Sequence, residues 1–420
     1  MIFPGRRLRR LLPFLLAALL VPSLLAAPSQ AAVRDKIRPE FFGLGIWLGP
    51  EGQTSWPALG VGTVRLVQYW SSIERSSGVY DWSELDAQVA TAEEHGVEPL
   101  IIIEGTPEFH AVGKGAPTSA SPPRLNAYRN YVQALVGRYG GRASYQVWSE
   151  ASVTLFYTGS PARMGKMTKI LWQAKRDLAP TAYVVAASFP LRGANTPTRH
   201  WWRTYWSQKI GRKTTADFVD AAAISAYPMP DEDPEDALAL TRWARRSLDR
   251  HGFDGQLWAT EINYGASGLA TTLAPISMKR QAAYVVRTYA LQAVSGADRV
   301  YWWRWERHET VNTSLNNGKG RLTRAGKAFR EVEDWLTGMR PVGCNVKGGV
   351  TTCTFRQGRL KRHIYWTRSG KTRTVPAPKW AKKEFTSLGK KSSTKPGKVV
   401  TVDLSPIMVE SRRPRAKPRD

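Results

Sequence analysis

The sequence predicts an α/β fold, a (β/α)8 TIM barrel followed by a small antiparallel β domain, on three observations. Eight short apolar runs recur between Phe41 and Trp303, helix-length amphipathic segments separate them, and beyond Arg340 the pattern changes to short alternating stretches split by Gly, Pro and Lys. The 420 residues are 42% hydrophobic and 23% charged, an ordinary globular composition with mass for one large domain and a small one, so a mainly disordered chain is excluded.

The N-terminus comes first. Arg6, Arg7, Arg9 and Arg10 precede an apolar run at 11–27 and small residues through Ser29 and Ala31, the layout of a secretory signal peptide, here assigned to residues 1–32. The apolar run is short and broken by Pro13 and Pro22, which argues against a membrane anchor, and no later stretch reaches the ~20 apolar residues of a spanning helix. The mature protein is therefore expected outside the cytoplasm, secreted or wall-associated.

A barrel is expected over residues 33–339. Its strands are read at 41–48 (FFGLGIWL), 62–69 (GTVRLVQY), 97–103 (VEPLIII), 145–148, 183–189 (YVVAASF), 219–226 (VDAAAISA), 257–260 and 299–303 (RVYWW). Helices are read at 82–95, 124–139, 162–178, 234–251, 277–294 and 324–336; in the second, Leu125, Tyr128, Val132, Leu135 and Val136 form one apolar stripe. Gly96, Gly140, Gly252 and Gly338 stand where helices should stop. Strands at 352–355, 362–367 and 399–404 place a basic, sandwich-like β module at 340–410, and residues 411–420 read as a disordered basic tail.

Two cysteines, Cys344 and Cys353, most simply form a disulfide closing a hairpin of the β module, worth about 2–3 kcal/mol by loop entropy. The six histidines show no metal-ligand spacing, so neither metal nor cofactor is expected. The net charge is +27, and the stretch from Arg340 onward holds 21 Lys and Arg against 4 Asp and Glu, a net +17. Such a module suggests attraction to anionic wall polymers, acidic polysaccharide or membrane headgroups rather than nucleic acid, while a merely solvated surface is at least an equal reading.

Two segments share one grammar. SYQVWSEAS (144–152) is a short strand ending in Glu150 behind Trp148, and QLWATEINYG (256–265) is an apolar run ending in Glu261 beside Asn263 and Tyr264. A lone strand-end glutamate is more often a solvated surface residue. Two of them, after the fourth and seventh strands of a barrel, lie across the C-terminal mouth, where such barrels hold their active sites.

Three longer motifs then carry a resemblance: WSSIERSSGVYDWSELDAQVATAEEHGVEPLIII (70–103), GTPEFHA (105–111) and AGKAFREVEDWLTG (325–338). In their order and spacing they resemble clan A glycoside hydrolases, family 39 and related secreted cellulase-like families in particular. The resemblance implies a retaining hydrolase of β-linked extracellular polysaccharide, with Glu150 as acid/base and Glu261 as nucleophile. It implies that Arg65 keeps the nucleophile ionised, that Tyr227 hydrogen-bonds it, and that Trp302, Trp303 and Trp305 include an aromatic platform, for which Trp303 is taken. His110, Trp148 and Ser149 complete the expected substrate-binding set. The bland readings are a structural ion pair for Arg65, core packing for the tryptophans and a surface position for His110. Relatives usually carry asparagine where this chain has Ser149, and often proline where it has Ala151. The sequence therefore allows a second reading, a weakened barrel that binds glycans without cleaving them.

Overall fold

Runs of β-branched residues and alanine form eight parallel strands: β1 (Phe42–Gly45), β2 (Thr63–Tyr69), β3 (Glu98–Glu104), β4 (Ser144–Gln146), β5 (Val184–Val185), β6 (Ala221–Ser225), β7 (Gln256–Ile262) and β8 (Arg299–Trp302). The computed structural model describes residues 35–46, 56–113, 118–192, 196–266, 274–306 and 309–411. Each strand pairs with its neighbours in sequence and β8 pairs with β1, so the ring closes and leaves no edge strand. The expected signal peptide and most of the expected tail lie outside the described residues.

Alternation sets the layers. On β3, Leu100 and Ile102 point inward to meet Val185, Ala221, Ala223, Trp258 and Tyr301, which fill the barrel. Ile101 and Ile103 point outward into the much larger layer beneath the helices. Both faces are apolar, as a parallel strand buried on two sides requires. Strands β4 and β5 are shorter than the expected 145–148 and 183–189, because the chain leaves the ladder there to build the mouth. The first strand ends at Gly45 rather than 48, and positions 47 and 48 lie outside the described residues.

The helices longer than one turn are α1 (Ser83–Glu94), α2 (Leu125–Tyr139), α3 (Pro161–Leu178), α4 (Thr196–Ser207), α5 (Pro234–Arg250), α6 (Met278–Ser295) and α7 (Arg324–Leu336). Side-chain caps fix several starts: Ser160 accepts from Arg163 N–H, Ser277 from Arg280 N–H and Thr323 from Gly326 N–H. Asp233 and Asp236 form a reciprocal capping box around Pro234 at the start of α5. Helix α4 is absent from the sequence expectation. Its aromatic-rich run has modest helix propensity, and burial of Trp202, Tyr205 and Trp206 is what stabilises it. Among the described residues, no helix is long and apolar enough to cross a membrane.

Gly338 ends α7 in a left-handed turn, and the chain continues into β9 (Arg340–Lys347), β10 (Val350–Gln357), β11 (Leu360–Trp366), β12 (Arg373–Pro376), β13 (Ala381–Thr386), β14 (Lys391–Ser393), β15 (Val399–Val402) and β16 (Ile407–Ser411). Six of these form an antiparallel sheet in the order β9-β10-β11-β16-β13-β14, and β12 pairs with β15 in a separate ribbon. The last strand runs one residue past the expected module end at 410. A disulfide joins Cys344 and Cys353 at facing positions of β9 and β10. Buried Arg362 ties the sheet to the barrel: it pairs with Glu410 at 2.6 Å and donates to the Asp334 and Trp335 carbonyls at the end of α7.

Candidate active site

The mouth is assembled from strand ends, and the backbone decides which side chains enter it. On β2, Arg65 and Val67 face inward while Val64 and Leu66 face the helices; Arg65 is only 2% exposed. On β7, Leu257 and Ala259 face the helices, so strict alternation would send Glu261 the same way. It does not, because the ladder to β6 slips: Ile224 pairs with Ala259, but Ser225 pairs with Glu261. Thr260 is the extra residue of a β-bulge that turns Glu261 into the barrel.

Glu261 is the best-held group in the mouth. Its Oε1 lies 2.7 Å from Arg65 Nη2 and accepts from Ser149 Oγ at 3.3 Å, while its Oε2 accepts from Tyr227 OH at 2.8 Å. Arg65 Nη2 also donates to Ser149 Oγ at 2.8 Å. The Arg65 guanidinium carbon sits 4.9 Å from the centre of the Trp303 ring. Trp303 reaches that place because Gly45 on β1 has no side chain; a Cβ there would collide with the Trp303 ring.

Past β4 the chain turns sharply. Glu150 has φ 42°, the left-handed region that costs a non-glycine residue roughly 1–2 kcal/mol, and its N–H donates to Ser188 Oγ at 3.0 Å. Burial pushes the Glu150 carboxyl up to about 8, repulsion from Glu261 adds to this, and the Ser225 hydroxyl, Arg65 and Arg192 partly offset it. Tyr227 is likewise raised well above its ordinary range, first by burial and then by Glu261 and Glu150.

The other expected site residues fall differently. Trp148 is fully buried in the layer beneath the helices, beside Tyr157, with its Nε1–H donating to the Phe156 carbonyl at 3.0 Å. The expectation that it meets substrate is corrected: the turn before Glu150 directs the indole into the core. His110 stacks on Trp70 and its Nε2 lies 3.0 Å from buried Glu74, so its described contacts hold the loop after β3 rather than any group of the mouth. Trp302 and Trp305 are fully buried, leaving Trp303 as the half-buried member of the three.

Several groups of the mouth are not among the expected residues. Glu104, the last residue of β3, is 5% exposed and pushed up to about 7 by burial, with Arg65 opposing, Glu261 reinforcing and the Ser149 N–H partly offsetting the rise. It carries the same signal as its two partners, a glutamate closing an apolar strand. Tyr69 faces Glu104 across the β2–β3 ladder. Arg192, which donates to the Ala266 carbonyl at 3.2 Å, faces Glu150 and Tyr227; nothing in its sequence surroundings marks it. Among the described residues, no group of three or more His, Cys, Asp or Glu side chains is arranged to hold a metal ion.

The arrangement combines an ion-paired carboxylate, Glu261, with a carboxyl that keeps its proton at neutral pH, Glu150, in one barrel mouth beside an aromatic ring. Its fold class is the (β/α)8 barrel with an appended β domain found in clan A glycoside hydrolases. No protein-family profile matches the chain, and no curated protein matches it in sequence. Solved structures do match in fold. A family 39 glycoside hydrolase from Bacteroides cellulosilyticus superposes with a TM-score of 0.71 at 16% identity, covering 90% of this chain and 82% of that one. A family 30 endoxylanase from Clostridium papyrosolvens gives 0.64 at 12% identity, covering 90% and 98%. A conserved exported protein from Bacteroides fragilis gives 0.61 at 14% identity, covering 84% and 88%.

Proposed function

We propose that the chain is a secreted, retaining glycoside hydrolase that cleaves β-linked O-glycosidic bonds of an extracellular polysaccharide. The observation that carries this reading is the division of labour between two carboxyls: Glu261 held by Arg65 and Tyr227, and Glu150 kept protonated by burial and by Glu261 itself. Glu261 attacks the anomeric carbon while Glu150 gives its proton to the departing glycosidic oxygen, leaving a glycosyl ester on Glu261. Glu150, now ionised, takes a proton from water as that water attacks the same carbon and frees Glu261. Trp303 supplies an apolar ring for a sugar face, with Arg65 behind it. Likeness to an exported protein and the basic, apolar N-terminal run support secretion.

Turnover of a panel of aryl β-glycosides and of glucan, xylan and mannan, with product anomers followed by NMR, tests this. Glu261→Gln is expected to lower kcat by about 10³-fold or more, and Glu150→Gln to spare substrates with good leaving groups far better than polymers. Inverted product, or turnover indifferent to both changes, overturns the reading. One observation favours the binding-only alternative: the Ser149 hydroxyl is engaged by Arg65 and Glu261. Saturable glycan binding with no turnover of any substrate would select that alternative.

A further inference from the structure

Seven lysines fall between Lys379 and Lys398 against one acid, Glu384. The fold gathers them on one edge of the β module. β14 is the free edge of the six-stranded sheet, and across β13 and β14 Lys383 faces Ser393 while Phe385 faces Lys391. The chain after β14 returns along the same edge: Thr394 N–H donates to the Lys382 carbonyl, Ala377 N–H to the Lys398 carbonyl, and Lys398 Nζ to the Ser393 carbonyl at 3.3 Å.

Lys379, Lys382, Lys390, Lys391, Lys395 and Lys398 are exposed, and among the described residues the lysines in ion pairs are others, Lys175 and Lys279. The charges that seat the module on the barrel are also different ones: Arg368 with Asp233 and Asp236, and Asp403 with Lys279. Attachment to the barrel therefore does not account for the lysine edge, and crowding like charges there works against the fold through mutual repulsion. The edge is also held in place. Its turn at Gly389, φ 84°, rests on α7, where an added Cβ would come 2.7 Å from Glu331 Oε1.

We propose that this edge is a docking surface for a carboxylate-bearing polysaccharide, a linear polyuronate. Neighbouring strands lie about 4.8 Å apart, which sets Lys382 and Lys383 of β13 in the row beside Lys391 of β14, an array of cations suited to an extended anionic polymer. All seven cations are ammonium groups, point charges that pair with the single carboxylates of a polymer without the fixed bidentate geometry of a guanidinium fork. Rings for stacking nucleobases are not presented: Phe385 is half-buried beneath Lys391, and Trp380 packs edge-on against His363 with centroids 4.7 Å apart. Leu388 and Val399 are the large apolar side chains exposed nearby, too few for a bilayer interface.

The test measures binding of the whole mature protein to polygalacturonate at about 50 mM and about 200 mM salt, with a Lys382→Gln, Lys390→Gln, Lys391→Gln, Lys395→Gln variant alongside. Wild type is expected to bind with affinity falling about ten-fold or more over that salt range, and the variant to bind about ten-fold or more weakly at low salt with an unchanged melting temperature. No binding by wild type, undiminished binding by the folded variant, or tighter binding to double-stranded DNA or phosphatidylserine vesicles than to polygalacturonate overturns the proposal. Turnover of small aryl glycosides by the same variant reads the barrel mouth separately, so failure here and failure of the catalytic reading are distinguishable.

Discussion

Glu150 and Glu261 are chemically the same side chain, separated in behaviour by what surrounds them. Glu261 faces a buried cation and two hydroxyl donors; Glu150 faces a desolvating pocket and the charge of Glu261. This difference shows in stability. Between pH 4.5 and about 8 the unfolded chain has released a proton that folded Glu150 keeps, so the group's stabilising contribution is full below pH 4.5 and is lost as pH rises through about 8. Glu150→Gln should therefore gain on wild type as pH is raised from about 5 to about 8, by on the order of 1–3 kcal/mol in denaturant unfolding. A stability difference that stays flat with pH would contradict the environment described. At this scale both glutamates were legible as strand ends beside tryptophan. Glu104 carries the same signal without the flanking tryptophan, and the outward turn of Trp148 could not be read, because Val147 and Trp148 both enter the outer layer where the backbone departs from regular strand.

Among the elements, periodicity announced the strands and six of the helices, because a parallel barrel buries both strand faces and one helix stripe. The bulge at Thr260 was not announced. Counting residues along β7 places Glu261 on the wrong face, and pairing with β6 corrects it. The same holds for α4, whose Trp, Tyr and Thr content does not favour helix until neighbouring walls bury its aromatic side. In the β module, the β9–β10 hairpin is closed by Cys344 and Cys353, nine residues apart. Replacing both cysteines with serine is expected to cost about 2–3 kcal/mol in urea unfolding while leaving turnover per folded molecule unchanged. A change in turnover of comparable size would show that the hairpin reaches the mouth.

For the whole molecule, barrel and β module share buried charge. Arg362 spans Glu410 and the last carbonyls of α7, and Arg287, fully buried on α6, meets Asp233 and Glu235, while Trp366 of the module donates to Glu235 at 2.7 Å. Scanning calorimetry is expected to show one cooperative transition for the whole chain, and Arg362→Met to cost about 3–5 kcal/mol by leaving a buried carboxylate without its cation. Two separate transitions in wild type would show the module to be an independent body. By itself the sequence determined the barrel, the appended β module, the cysteine pair and the two principal glutamates, since hydrophobic period, turn residues and strand-end carboxylates are local properties of the chain. Only the tertiary structure decided that Glu261 turns into the barrel and that Ser149 links Arg65 to it. Those facts come from ring closure and a register slip, which join residues far apart in the chain and leave no mark on the residues beside them.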